Sequence, residues 1–182
     1  MEVYSRAEEV EVLLNGQSLG KKPAGADNHF KAEFQVPFEK GTLTAVSYTD
    51  GVEVSRDQVE TLGKAAGLRI RMEKDTIVAD GQSLAYGIVE TVDADGKWVP
   101  TAQDVLGHVS VEGPVSLAGF GTGRGQTEEN YTKGEFTSFE GRWQIIVRAG
   151  LDEGKARIVV RAGDFTDAVA EIEIGKSKLS GN

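Results

Sequence analysis

Apolar and polar residues alternate along most of this chain. The alternation has a period of two in residues 30–36, 43–48 and 68–72, which is typical of half-buried β-strands. Helical periodicity is not sustained in any segment, and glycines that follow Asn, Asp, Glu or Lys predict short turns between the strands. The same criteria predict further strands at residues 84–93, 108–112, 115–118, 142–149, 155–161 and 168–174.

The number and length of these strands indicate the fold class. With about fourteen short strands and no helix, we expect an all-β protein of two immunoglobulin-like antiparallel β-sandwich domains in tandem. A chain of 182 residues can give each of two domains its own core. The Gly-rich segment 61–67 (TLGKAAG) precedes a new strand, so we place the domains at residues 1–66 and 67–182.

A hairpin is predicted near the start of the chain, in the stretch VEVLLNGQSLGKK at residues 10–22. The pair Asn15 and Gly16 favours a two-residue turn with both residues at positive φ. Alternation assigns the even-numbered apolar residues from Val10 to Leu14 to the buried face. The same alternation predicts that Leu13 points the other way and is exposed.

The pentapeptide of this turn, NGQSL at residues 15–19, recurs as DGQSL at residues 80–84. The match fits either a trace of duplication or turn chemistry alone, because turns select Asn or Asp before Gly. The chain also begins within a predicted strand, with neither a capping segment nor a signal peptide in front of it. We therefore expect it to be a piece of a longer protein.

Charge and composition argue against several functions. There are 29 acidic and 20 basic residues, a formal net charge of −9, which opposes binding to nucleic acid or to anionic lipid surfaces. The absence of cysteine excludes disulfides, a thiolate nucleophile and cysteine-based metal sites. No apolar run approaches the roughly 20 residues of a membrane helix, so we predict no membrane insertion.

Residues suited to catalysis or metal binding do not form a recognisable set. A glycosidase needs two carboxylates in one cleft, but the acidic residues within the strands are interpreted as solvated positions. His29 and His108 lie in unrelated segments and are not expected to act as a base or a ligand. No catalytic residue, metal or cofactor is therefore predicted. The strand carboxylates interpreted as solvated are Glu9, Glu11, Glu33, Glu90, Glu171 and Glu173.

Each of two loops contains part of a known ligand-binding motif. Residues 93–96 (DADG) begin like a calcium loop but lack the closing Glu, so a plain turn is predicted. Residues 119–126 (GFGTGRGQ) contain glycines at a phosphate-loop spacing, but the acidic residues that follow would repel phosphate. We expect a long, ordered connection between two sheets there instead.

Aromatic side chains are the remaining candidates for ligand binding. Sugar rings can pack on exposed aromatic rings as on any apolar surface. Trp98, beside a turn, and Tyr131, in the long connection, could serve as such a carbohydrate-binding platform. Trp143, Tyr48 and Tyr86 alternate with polar neighbours and are expected in the core or packed on a sheet.

The first third of the chain carries an extended motif. The stretch VYSRAEEVEVLLNGQSLGKK, followed by FQVPFEKGTLTAV at 34–46 and YTDG at 48–51, resembles the small domain after the catalytic barrel in bacterial β-galactosidases of glycoside hydrolase family 2. That domain has the patterns YSN-x-EVELFLNGKSLG, WxVPYxPGxLxA and TxG, the last matched by residues 61–63. Phe34 and Phe38 replace the usual Trp and Tyr, and each keeps a large apolar ring.

The remainder resembles the last domain of the same enzymes, which is similar to bacterial immunoglobulin-like modules of invasin type. In this family the catalytic glutamates belong to the upstream barrel, and no position of this chain matches their motifs. The resemblance thus implies a non-catalytic fragment whose parent enzyme hydrolyses β-galactosides or related glycosides. The residues that carry it are 77–86 (IVADGQSLAY), 92–100 (VDADGKWVP), 121–123 (GTG), 128–131 (EENY) and 139–142 (FEGR).

Three roles are compatible with this resemblance. The first is structural: two accessory sandwiches that support the upstream barrel of the same polypeptide, act as a spacer and contribute to homodimer contacts. The alternatives are a carbohydrate-binding module that holds glycans weakly through exposed aromatics, and an adhesion or protein-interaction module whose sheet edges pair with partners. For the parent enzyme we expect a periplasmic or extracellular location rather than a cytoplasmic one.

Overall fold

The computed structural model describes residues 1–176, which form two compact units. The first unit ends at Thr61 and the second begins at Leu62. Within the described residues, all regular structure is β-strand except a 3₁₀ turn at Ala26–Asn28. This described part contains no helix long and apolar enough to cross a bilayer. The prediction of an all-β fold is confirmed.

The strands of the first unit are β1 Glu2–Tyr4, β2 Glu9–Leu14, β3 Gln17–Pro23, β4 Lys31–Glu33, β5 Thr42–Thr49 and β6 Val52–Glu60. They form a four-stranded antiparallel sheet in the order β3-β2-β5-β6 and a two-stranded antiparallel sheet of β1 and β4. Alternate residues of β2 point towards the smaller sheet, as the hydrophobic pattern predicts. The buried residues of this core are Val10, Val12, Ala24, Ala32 and Phe34.

The predicted hairpin between β2 and β3 is confirmed, since Asn15 and Gly16 both have positive φ, 53° and 82°. Asn15 also fixes the segment before β5. Its Oδ1 accepts a hydrogen bond from the Thr42 N–H at 2.9 Å, and its Nδ2 donates one to the Lys40 carbonyl at 3.1 Å. The prediction that Leu13 is exposed is wrong, because β2 lies between β3 and β5 and Leu13 is half-buried.

The two similar pentapeptides form different turns. At Asp80 and Gly81 only the glycine has positive φ, 73°. The Asp80 Oδ1 accepts hydrogen bonds from the backbone N–H groups of Gln82 and Ser83 at 2.8 and 2.6 Å. Turn chemistry therefore accounts for the recurrence of the sequence without a repeated structural unit.

The strands of the second unit, within its described part, are β7 Gly67–Met72, β8 Thr76–Val78, β9 Leu84–Val92, β10 Leu106–Glu112, β11 Val115–Gly121, β12 Glu135–Thr137, β13 Arg142–Ala149, β14 Gly154–Ala162 and β15 Ala168–Gly175. One sheet has the order β12-β10-β14-β15-β8 and the other has the order β11-β13-β9-β7. The pairing is antiparallel, as predicted, except that β15 and β8 are parallel.

The core of the second unit is built around Trp143. This side chain is buried, its ring stacks with Phe120 at a centroid distance of 6.4 Å, and its Nε1 donates a hydrogen bond to the Phe136 carbonyl at 2.7 Å. The prediction of a core Trp143 is confirmed. Tyr86, by contrast, is exposed, because it occupies an even position on β9 while the odd positions face the core. Tyr48 is half-buried and donates a hydrogen bond to Glu11.

Thr61 hydrogen-bonds to Gly41 of the first unit, whereas the residues after it bond within the second unit. The Gly63 N–H donates to the Asp93 Oδ2 at 3.0 Å, and the Ala66 N–H donates to the Val92 carbonyl at 2.8 Å. For this reason the division of the structure, after Thr61, lies five residues before the boundary placed on the sequence. Both lie within the Gly-rich segment 61–67.

Candidate functional site

The outer face of the β11-β13-β9-β7 sheet is the first surface of interest. Side chains alternate along β9, so Tyr86, Ile88 and Glu90 all point away from the core. The strand register places Arg69 of β7 and Arg142 of β13 directly on either side of Glu90. The sheet therefore brings two arginines to one carboxylate from residues that are distant in sequence.

Glu90 is held by three guanidinium groups. Its Oε2 lies 2.8 Å from Arg69 Nη2 and 3.0 Å from Arg71 Nη2, and its Oε1 lies 2.7 Å from Arg142 Nη2. Only 1% of the Glu90 side chain is exposed, so the interpretation of Glu90 as a solvated position is wrong. The arginines, which are themselves partly exposed, cover the carboxylate that strand alternation directs towards solvent.

The arginines decide the ionisation of Glu90. Burial raises the pKa of its carboxyl group, but hydrogen bonds from Arg69 and Arg142 and the charge of Arg71 outweigh burial and hold the pKa below its ordinary value. Glu90 is therefore a carboxylate at neutral pH. We call this arrangement the Glu90 cluster.

Trp98 covers one side of the Glu90 cluster. The guanidinium carbon of Arg142 lies 3.4 Å from the Trp98 ring centroid, a cation–π contact, and the Trp98 Nε1 donates a hydrogen bond to the Glu140 carbonyl at 3.0 Å. The preceding loop at Asp93 is a turn, as predicted, because its Oδ1 accepts hydrogen bonds from two later backbone N–H groups. One ring face of Trp98 is thus occupied by Arg142.

Tyr131 lies in a different environment. Its ring centroid is 4.7 Å from that of Phe136, and the ring packs on Gly121, where a Cβ would clash with it. The segment 122–134 connects β11 of one sheet with β12 of the other, which confirms the predicted connection between sheets. Tyr131 is 45% exposed and shares none of these contacts with Trp98, and the carbohydrate-binding role of the two residues stays a prediction.

The two histidines are not brought together. His29 follows the 3₁₀ turn of the first unit, whereas His108 lies on β10 of the second, where its Nδ1 is 4.0 Å from a Glu135 carboxylate oxygen. Among residues 1–176, no group of three or more His, Cys, Asp or Glu side chains could hold a metal ion.

Two shallow hollows on the outer face of the same sheet adjoin the Glu90 cluster. Their volumes are about 320 and 240 Å³, and they share Ile88 and Gln144, which face each other across β9 and β13. Sequence reasoning missed this surface, although the alternation of β9 was the signal for it. The residues that line one or both hollows include Arg71, Glu73, Tyr86, Phe139, Glu140 and Arg142.

In the first unit one side of the larger sheet, at strand β6, is not covered by the smaller sheet, and we call it the open side. All nine residues of β6, at one edge of the larger sheet, are exposed, including Val52, Val54 and Val59. A hollow of about 440 Å³ lies between β1 and the β5–β6 pair, and a second hollow of about 270 Å³ shares Leu43 and Val59 with it. The two-stranded sheet leaves this side of the larger sheet uncovered.

The fold and these surfaces define a tandem of β-sandwich modules. The family model described as glycoside hydrolase family 2 C-terminal domain 5 matches residues 68–171. A second model, described as a domain of unknown function (DUF4982), matches residues 1–55. The chain belongs to the C-terminal domain family of glycoside hydrolase family 2, and the resemblance drawn from the sequence motifs is confirmed.

Similar proteins extend over nearly the whole chain. Beta-galactosidase BoGH2A of Bacteroides ovatus is 30% identical over 93% of this chain and 20% of that protein, and a beta-glucuronidase of Formosa agariphila is 27% identical over 92% and 17%. The crystal structure of a glycosyl hydrolase family 2 member from Bacteroides cellulosilyticus superposes with a TM-score of 0.87 at 32% identity, over 96% of this chain and 22% of that one. The chain thus spans about a fifth of the length of these relatives.

Proposed function

We propose that this chain is the non-catalytic C-terminal accessory region of a glycoside hydrolase family 2 enzyme that acts on β-galactosides or related glycosides. The names of the relatives, a beta-galactosidase and a beta-glucuronidase, support this class of substrate. The match to about a fifth of their length leaves room for a catalytic domain outside the chain.

The open side of the first unit is the observation that carries the accessory role. Valine side chains on a sheet edge cost free energy in water and promote association unless another surface covers them. In the first unit three such valines are exposed on β6, and one of them, Val59, lines the hollow between β1 and the β5–β6 pair. We infer that the catalytic domain of the same polypeptide packs against this side and that the first unit braces it.

The Glu90 cluster supports the non-catalytic part of the proposal. A catalytic carboxylate of a glycosidase must reach the substrate, whereas both oxygens of Glu90 are bound by arginines and only 1% of its side chain is exposed. The same contacts fix the side chain within the sheet. This arrangement suits a structural role for Glu90.

A direct test measures hydrolysis of 4-nitrophenyl β-galactoside and 4-nitrophenyl β-glucuronide by the purified chain. We expect no turnover, and turnover that copurifies with the chain would refute the non-catalytic assignment. The coding sequence upstream of residue 1 provides the second test. It should encode a glycosidase barrel in the same reading frame, and any other neighbouring domain would overturn the proposal.

The bracing contact is tested in the polypeptide that includes the upstream sequence. Val54→Asp combined with Val59→Asp places charge on the open side, and we expect glycosidase activity to be lost at a lower temperature than in the unchanged enzyme. Val169→Asp, at an exposed position on β15, is the matched control. Equal inactivation temperatures for the double variant and the unchanged enzyme would argue against packing on β6. Homodimer contacts and a periplasmic or extracellular location stay predictions.

A further inference from the structure

The groove formed by the two hollows around Ile88 and Gln144 differs from the other exposed surfaces of the second unit. It has an apolar floor, made by Ile88 and the ring of Tyr86, which are 44% and 37% exposed. Both residues sit on a central strand, and β9 is hydrogen-bonded to β7 and β13 on its two sides. The floor is therefore rigid and does not depend on a loop.

Polar groups surround this floor. Arg71, whose side chain is 58% exposed, and Gln144 lie on either side of Ile88 in the strand register. Within residues 1–176 the Gln144 side chain and the Tyr86 hydroxyl make no hydrogen bond, so their donors and acceptors are available to a ligand. Guanidinium and amide groups donate hydrogen bonds that sugar hydroxyl groups can accept.

The charge of the groove is balanced. This balance disfavours a strongly charged ligand and favours a neutral one that offers many hydroxyl groups and an apolar ring face. The carboxylates add acceptors to the donors of the arginines. The positively charged residues of the groove and the adjoining Glu90 cluster are Arg69, Arg71 and Arg142, and the negatively charged ones are Glu73, Glu90 and Glu140.

We propose that this groove binds a neutral β-linked oligosaccharide, with a sugar ring packed on Tyr86 and Ile88 and its hydroxyl groups bonded to Gln144 and Arg71. The choice of a glycan rests on the proposed membership in a glycoside-cleaving enzyme. The site differs from the platform of Trp98 and Tyr131, because one face of Trp98 is occupied by Arg142 and Tyr131 packs on Gly121. Its task is to hold a glycan near the enzyme.

The test is a calorimetric titration of the chain with galacto-, gluco-, manno- and xylotetraose, all neutral and β-linked. We expect at least one to bind with a dissociation constant on the order of 0.1 to 1 mM. Tyr86→Ala should weaken that binding at least tenfold, and Gln144→Ala should weaken it several-fold. Val169→Ala, on the other sheet, should leave it unchanged, and thermal unfolding of each variant checks that the fold is retained.

Three results would overturn the proposal. The first is the absence of binding to all four tetrasaccharides at 10 mM, a concentration on the order of ten times the weakest expected dissociation constant. The second is binding that survives Tyr86→Ala but is lost in Trp98→Ala, which would move the site. The third is tighter binding of β-1,4-linked tetramannuronate, which keeps the β linkage but carries carboxylates, and this result would contradict a neutral ligand. None of these measurements depends on glycosidase activity. Glycan binding can therefore be refuted while the accessory role stands, and the accessory role can be refuted while glycan binding is found.

Discussion

The two units of this protein use the same alternation of residues but close their cores to different degrees. In the second unit, sheets of five and four strands enclose a cluster of seventeen buried apolar residues that includes Trp143, Phe120 and Phe136. In the first unit, sheets of four and two strands enclose a cluster of five, of which Phe34 is the one aromatic. The difference lies in the size of the covering sheet.

This difference shows how an open side arises without any unusual sequence. A two-stranded sheet covers only part of a four-stranded one, so β6 projects beyond it with both faces in water. The second unit has no such strand within its described residues, because each sheet has at least four strands. Stability should therefore be concentrated in the second unit, and partner contact in the first.

The largest expected effect tests the closed core. Trp143→Ala removes a buried ring and its hydrogen bond to Phe136, and it should destabilise the second unit by about 3–5 kcal/mol. Differential scanning calorimetry should show the later of two transitions moving to lower temperature while the earlier one stays in place. Val12→Ala, in the core of the first unit, should shift only the earlier transition. A common shift of both transitions in either variant would show that the units do not unfold separately.

The next effect concerns the Glu90 cluster. Glu90→Gln removes the carboxylate charge that three arginines share, and the arginines then repel one another. We expect the free energy of unfolding of the second unit to decrease by about 3 kcal/mol. This value is at the lower end for a broken buried ion pair because the arginines are partly exposed. Urea unfolding of the second unit measures it. Glu171→Gln, at an exposed position on β15, should change stability by less than about 0.5 kcal/mol. Equal effects of the two substitutions would mean that the cluster does not stabilise the sheet.

Acid should destabilise the second unit through the same residue. The pKa of folded Glu90 lies below its ordinary value of 4.5, so the stabilisation is complete above that pH and is lost as the pH falls through the lowered pKa. At pH values below about 4.5 we expect the unfolding temperature of the second unit to decrease. This decrease should be smaller in the Glu90→Gln variant. Identical profiles for the two proteins would assign the acid sensitivity to other carboxylates.

The smallest effect tests the open side. Val59 is 61% exposed, so Val59→Ser should change the stability of the chain by less than about 0.5 kcal/mol. The same substitution should be more costly in a polypeptide that includes the upstream sequence, if the catalytic domain covers β6. A loss above 1 kcal/mol in the chain itself, measured by calorimetry, would mean that this side already has a partner surface within the chain.

Much of the fold could be predicted from the sequence, because the strands with one buried face have a clear period of two. The strand from Arg142 to Ala149 was predicted at both ends. Strand β6 was missed because both of its faces are exposed and its residues carry no alternation in burial. The burial of Glu90 could not be predicted, since it depends on arginines that only the strand register brings beside it.

The turns at Asn15 and Asp80 show that a shared local sequence does not make two sites interchangeable. The Asp80 carboxylate acts only as an acceptor, with Oδ1 bonded to two backbone N–H groups and Oδ2 to the Ser83 hydroxyl. Asn15 accepts from Thr42 and donates to Lys40, and a carboxylate could supply only the first of these bonds. Slow deamidation of Asn15 to Asp would therefore loosen the entry to β5, and an aged sample of this protein would differ from a fresh one at the edge of its first unit.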